Sequence, residues 1–132
     1  MTRSFLLIGI AWSEFPKMVG AEKSESMIAV VKGMLAKGND EFKAAGLRSD
    51  SVFYGPDESM TRLQQILSEN KYDGVCIGWG IRSTAMYTEL FERLVTTVHE
   101  TSPSSKLLFN SSPATTFDAV MRGFPEVQRA SA

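Results

Sequence analysis

The chain has 132 residues, 43% of them apolar and 22% charged, with a formal net charge of −1. This length suits one domain around a single core, and a balanced charge with no block of one sign lacks the basic footprint of a nucleic-acid binder. A single cysteine, Cys76, excludes an intrachain disulfide, and one cysteine with one histidine leaves no ligand set for a zinc site, so no metal is expected.

Residues 5–12, FLLIGIAW, follow Arg3 much as the apolar part of a leader would. No small-x-small cleavage site follows, and the run is too short to cross a bilayer, so the expectation is a soluble, cytoplasmic protein with no membrane partner. The run reads instead as a central parallel strand covered on both faces. Residues 13–23, SEFPKMVGAEK, read as a long loop with Pro16 and Gly20. Ser24 or Ser26 is placed to cap a first helix running to about Ala45, with Met27, Val30, Val31, Met34 and Leu35 at helical spacing. Gly33 and Gly38 weaken this helix, and Gly46 is placed to end it.

SVFYG (51–55) is the second expected strand, and Pro56 and Asp57 open a second helix through about Asn70. YDGVCIGWG holds the third strand, over 74–79. A third helix is expected from Ser83 to about Thr101, with Leu90, Leu94 and Val98 on its inner side. KLLFN (106–110) is the fourth strand, followed by a short last helix. Strict alternation of strand and helix argues for an α/β sandwich with a parallel sheet, and right-handed crossovers favour the flavodoxin-like, Rossmann-like order 2-1-3-4. The first and last helices then cover one face and the middle two the other.

In such a sheet ligands sit outside the carboxyl ends of the strands where the winding reverses, here between strands one and three. Trp12 and Trp79 end those two strands. Gly78 and Gly80 give room for a sharp turn, and Arg82, Ser83 and Thr84 fall at the start of the third helix, where free N–H groups and a guanidinium suit an anion. Asn110 and Ser111 end the fourth strand on the same edge. These residues outline a cleft with an aromatic wall and an anion anchor. They equally fit a structural role, with indoles covering the core rim, a solvated arginine and a hydroxyl N-cap.

Known fingerprints are absent. The dinucleotide pattern needs three spaced glycines after strand one, where AWSEFPK stands, and no P-loop lysine signature occurs. The acidic residues of a receiver domain and the hydroxyl-rich loop of a flavodoxin are missing, so no cofactor is expected. Cys76 lies inside a strand and reads as core. His99 falls about 16 residues into the third helix, about 24 Å from its start at 1.5 Å per residue, which argues for a structural or subunit-contact role over catalysis. Glu14 borders the switch point and is the best general acid/base among the carboxylates, or else a solvated loop residue.

YDGVCIGWGIR (72–82), VHETSP (98–103) and FNSSP (109–113) resemble a group of small Rossmann-like single-domain proteins of bacteria and filamentous fungi, through the pattern Gly-x-Gly-Ile-Arg, Val-His, Phe-Asn-Ser/Thr-x-Pro. The resemblance covers mainly the second half of the chain. It implies a Rossmann-like domain, brings no established activity, and marks Gly80, Arg82, His99 and Asn110 as a set. Trp79 departs from the small residue expected there.

Taken together, the sequence suggests an enzyme without redox cofactor or metal, of lyase, isomerase or cyclase type, acting on an apolar or aromatic acid. Trp12 and Trp79 would pack the substrate, Arg82 would anchor its anion, Gly80, Ser83, Asn110 and Ser111 would shape or orient it, and Glu14 would move the proton. The alternatives are a non-catalytic ligand-binding domain, including a homodimer through an exposed sheet edge, and a nucleotide-phosphate binder using the start of the third helix.

Overall fold

A computed structural model describes residues 2–130. Four parallel strands, β1 (Ser4–Ile10), β2 (Arg48–Tyr54), β3 (Gly74–Ile77) and β4 (Lys106–Phe109), form one sheet in the order β2-β1-β3-β4. The expected mixed α/β class and strand order are those of the structure. Helices α1 (Phe15–Val19), α2 (Ala21–Ala44), α3 (Thr61–Glu69), α4 (Trp79–Arg82), α5 (Thr88–Thr101) and α6 (Thr116–Gly123) complete the chain.

Alternation along β1 divides the core. Leu6, Ile8 and Ile10 pack with Val75 and Ile77 of β3 and with Leu63, Leu67, Leu90, Leu94 and Val98 of α3 and α5. Phe5 joins Cys76, Leu108, Phe42 of α2 and Phe117 and Val120 of α6 on the opposite face. The first and last long helices therefore share one face, as expected. Burial pushes the Cys76 thiol up to about 11, consistent with its reading as core.

Four local expectations change. The presumed loop 13–23 is largely helical: a 3-10 turn (Trp12–Glu14) leads into α1, whose Pro16 occupies a first-turn position where no N–H is needed. Gly20, at φ +89°, separates α1 from α2. Strand β1 stops at Ile10, so Trp12 lies beyond it. The second helix begins at Thr61, because the preceding loop is held from outside: Arg93 of α5 donates to the carbonyls of Glu58 (2.7 Å) and Pro56. The third helix begins only at Thr88, after the separate turn α4 and a 3-10 turn (Ala85–Tyr87). Gly46, at φ +75°, follows the end of α2 as its position suggested.

Both edges of the sheet carry an arginine at their carboxyl ends. The Tyr54 carbonyl accepts from Ala11, so by alternation the Phe53 carbonyl faces outward, where Arg62 donates to it at 2.7 Å. On β4 the outward Phe109 carbonyl receives Arg122 at 2.6 Å.

Candidate functional site

Between α1, α2 and the carboxyl end of the sheet lies a cleft of about 260 Å³. Leu7, Gly9 and Ile10 of β1 and Phe53 of β2 form its floor. Trp12, Phe15, Met18 and Val19 line one end, and Met27, Val31 and Leu35 of α2 form the roof. Gly78, Trp79, Gly80, Ser83, Asn110 and Pro113 make the opposite wall. The cleft therefore sits beside the β1/β3 switch point. Its wall holds no titratable side chain among the described residues, and only Ser83 and Asn110 bring polar side chains.

Trp12 and Trp79 both line this space, as the strand order implied. The Trp12 indole packs on Phe53 (centroids 5.0 Å apart) and Phe15 (5.4 Å). Trp79 begins α4, and 45% of its surface remains exposed. The chain turns here without any left-handed glycine. Gly78 is extended (φ −68°), and its N–H donates to the Ile8 carbonyl at 2.9 Å. A Cβ on Gly78 would meet that carbonyl oxygen at 3.2 Å, so glycine serves close approach rather than unusual dihedrals. Gly80 lines the cleft beside Ile10 and Met18 with ordinary contact distances.

Asn110 is 2% exposed and acts as a clamp. Its Oδ1 accepts the Trp79 N–H at 2.8 Å, capping α4, and its Nδ2 donates to Thr116 Oγ1 at 3.0 Å, fixing the start of α6. Sequence reasoning placed Asn110 at the site but missed that both ends of its amide are engaged.

Three of the residues expected at the site stand apart from the cleft wall. Arg82 lies in the last turn of α4, not at the start of a long helix, because the helical path breaks at Ser83. Its Nη2 donates to the Asn110 carbonyl at 2.5 Å, and its guanidinium lies 5.0 Å from the Trp79 ring and 5.1 Å from the Phe109 ring. Its Nε is buried without a hydrogen-bond partner. Glu14 is 7% exposed and turns inward, accepting from the Tyr87 hydroxyl at 3.1 Å and pairing with Lys17 at 3.4 Å. Burial, and then this carboxylate, push the Tyr87 hydroxyl up to about 12. Ser111 is exposed, and its N–H and Oγ both engage Thr115 Oγ1, at 2.9 and 3.1 Å, in the turn before α6.

The roof went unrecognised. Met27, Val31 and Leu35 recur at helical spacing and read as core, whereas in the fold this stripe spans open space. The signal available was the pair of small residues at Ser49 and Ser51 on β2, which fill little of the face beneath that helix. Lys32 reaches over Trp12, its Nζ 5.4 Å from the ring centroid. His99 is exposed in the last turn of α5, away from the cleft, as the helix length required. No group of three or more His, Cys, Asp or Glu side chains able to hold a metal occurs among the described residues, and no described helix is long and apolar enough to cross a membrane. No family model, curated protein or solved structure matches this chain.

Proposed function

We propose that the protein binds a small apolar or aromatic molecule in the cleft beneath α2. The carrying observation is the wall itself: about 260 Å³ of space at the sheet's switch point, faced by two indoles, two phenyl rings and aliphatic side chains. Cavities of roughly 150 Å³ with such a lining accept a benzene-sized guest, so this one suits a molecule of one or two rings or an equivalent chain. Met18 and Met27 give the wall an adaptable surface.

Both tryptophans of the chain line the cleft, so the whole indole fluorescence reports on it. Titration with naphthol should give a saturable change in emission. Trp79→Ala should weaken binding about three- to tenfold through lost ring packing. A parent protein whose emission stays constant up to the solubility limit of the probe would refute the binding reading.

An enzyme of lyase, isomerase or cyclase type, acting without redox cofactor or metal on an acidic substrate, is the second reading. It rests on Glu14, a buried carboxylate between two cleft residues in sequence and hydrogen-bonded to a tyrosine. It requires the Glu14 and Tyr87 pair to open toward the cleft. Comparing Glu14→Gln with the parent for turnover of any ligand found by titration separates the two readings.

A further inference from the structure

We infer that the cleft takes a straight-chain carboxylate, lying lengthwise between α2 and the β1/β2 pair with its charged end at Lys32. This deepens the binding reading above and rests on it. The rungs beneath α2 pair Phe5 with Ser49, Leu7 with Ser51 and Gly9 with Phe53. Two serines on these rungs leave the strip beside Leu7 loosely filled, while the Phe53 ring lies over Gly9. A second, smaller space of about 20 Å³ continues the cleft toward Phe42, and Leu7, Leu35 and Pro113 line both.

The combined seam follows the strands from Gly9 to Phe5, four residue steps, or about 13 Å at ~3.3 Å per residue. It ends against an aromatic plug, where Phe42 meets Phe5 and Phe117 at centroid distances of 5.8 and 5.3 Å. A strip that runs along the strands, apolar on its β1 side and edged by Ser49 and Ser51, fits a flexible chain better than a stack of rings. The inner part holds about one water-sized volume at rest, so a chain enters it by turning Leu35 aside.

The open end supplies the charge. Lys32 stands beside Trp12 on the helix that roofs the cleft, and among the described residues it has no carboxylate within ion-pair distance. Glu14, the nearest acid by sequence to that wall, is turned inward to Tyr87 and Lys17. An anionic head at the mouth thus meets a free ammonium and no opposing carboxylate from the wall.

The test is titration of the full chain, below micelle-forming concentrations, with hexanoate, octanoate and decanoate, with the matching alcohols, and with naphthol. Affinity should rise about fourfold for each added methylene, and each acid should bind several-fold more tightly than its alcohol. Ser51→Leu and Leu35→Trp fill the seam from opposite sides, and in both the gain should stop after hexanoate. Lys32→Gln should abolish the preference for acid over alcohol and leave the length dependence intact. A flat length series in the parent, or an unchanged series in both filled variants, overturns the chain-like ligand. Equal affinity of acids and alcohols in the parent overturns the anionic head. Naphthol binding without chain binding would sink this inference alone, whereas no binding of either probe sinks the underlying reading.

Discussion

The two faces of this sheet are built to different standards. Toward α3 and α5, β1 and β2 present Leu6, Ile8, Ile10, Val52 and Tyr54, and Leu6, Ile8 and Tyr54 are fully buried. Toward α2 the same two strands present Phe5, Leu7, Gly9, Ser49, Ser51 and Phe53, of which Phe5 alone is buried. Adjacent residues on one strand thus serve opposite ends: one face holds the fold together, and the other keeps a helix at a distance. Close packing is the default of protein interiors, so the looser face is the one on which the proposed binding depends.

The sharpest way to break this comparison is to truncate neighbours. Ile8→Ala should cost about 2–5 kcal/mol, the usual range for emptying a packed site, and Leu7→Ala less than half as much, both read by urea denaturation. Equal losses would mean that the two faces are packed alike. Glycines give a second contrast. Gly78→Ala pushes a methyl group against the Ile8 backbone carbonyl and should cost about 1–3 kcal/mol. Gly9→Ala meets only the Phe53 ring, at 3.0 Å, and that ring has the cleft to move into. It should cost less than Gly78→Ala in thermal melts.

Filling the loose face should help the fold and harm the site. Ser51→Val adds a strand-favouring side chain to the seam and should raise stability by about 0.5–1 kcal/mol while lowering affinity for long chains. A loss of stability would show that the seam is already full. A further effect is alkaline. Tyr87 holds its proton up to about 12, against an ordinary 10 in the unfolded chain. The folded state therefore binds more protons between these values, and stability falls as pH rises from about 10 to 12. Tyr87→Phe should lessen that decline in denaturation curves taken across the window and leave the part due to Tyr72 and Tyr54, whose hydroxyls burial also pushes up.

The strands, their order and the position of the cleft were legible because they depend on apolar runs and alternation, which are local in sequence. Gly46 likewise announced the end of α2. Pro16 at a first-turn position signalled α1, and the surrounding polar residues hid it. The starts of α3 and α5 were not legible, since they depend on Arg93 reaching across to the 55–60 loop and on the helix break at Ser83. Trp12, Trp79, Gly80, Ser83 and Asn110 come together at one cleft, as topology alone implied. Arg82, Glu14 and Ser111 stand apart from its wall, because their sequence positions fix where the backbone passes and not which way a side chain turns. Each found a nearer partner in the Asn110 carbonyl, Tyr87 or Thr115.

The arginines at the sheet edges bear on how the molecule behaves in a crowd. A four-stranded open sheet presents two rows of unpaired backbone groups, which are templates for a strand from another chain. Arg62 and Arg122 occupy the outward carbonyls of Phe53 and Phe109, one at the carboxyl end of each edge. A strand arriving there must expel a guanidinium from its hydrogen bond and then lie beside a positive charge. The same end of the sheet carries the cleft, where solvent-facing apolar groups such as Trp79 and Met27 would otherwise invite association. Each of the two side chains thus hinders edge-to-edge assembly at the carboxyl end of its own edge.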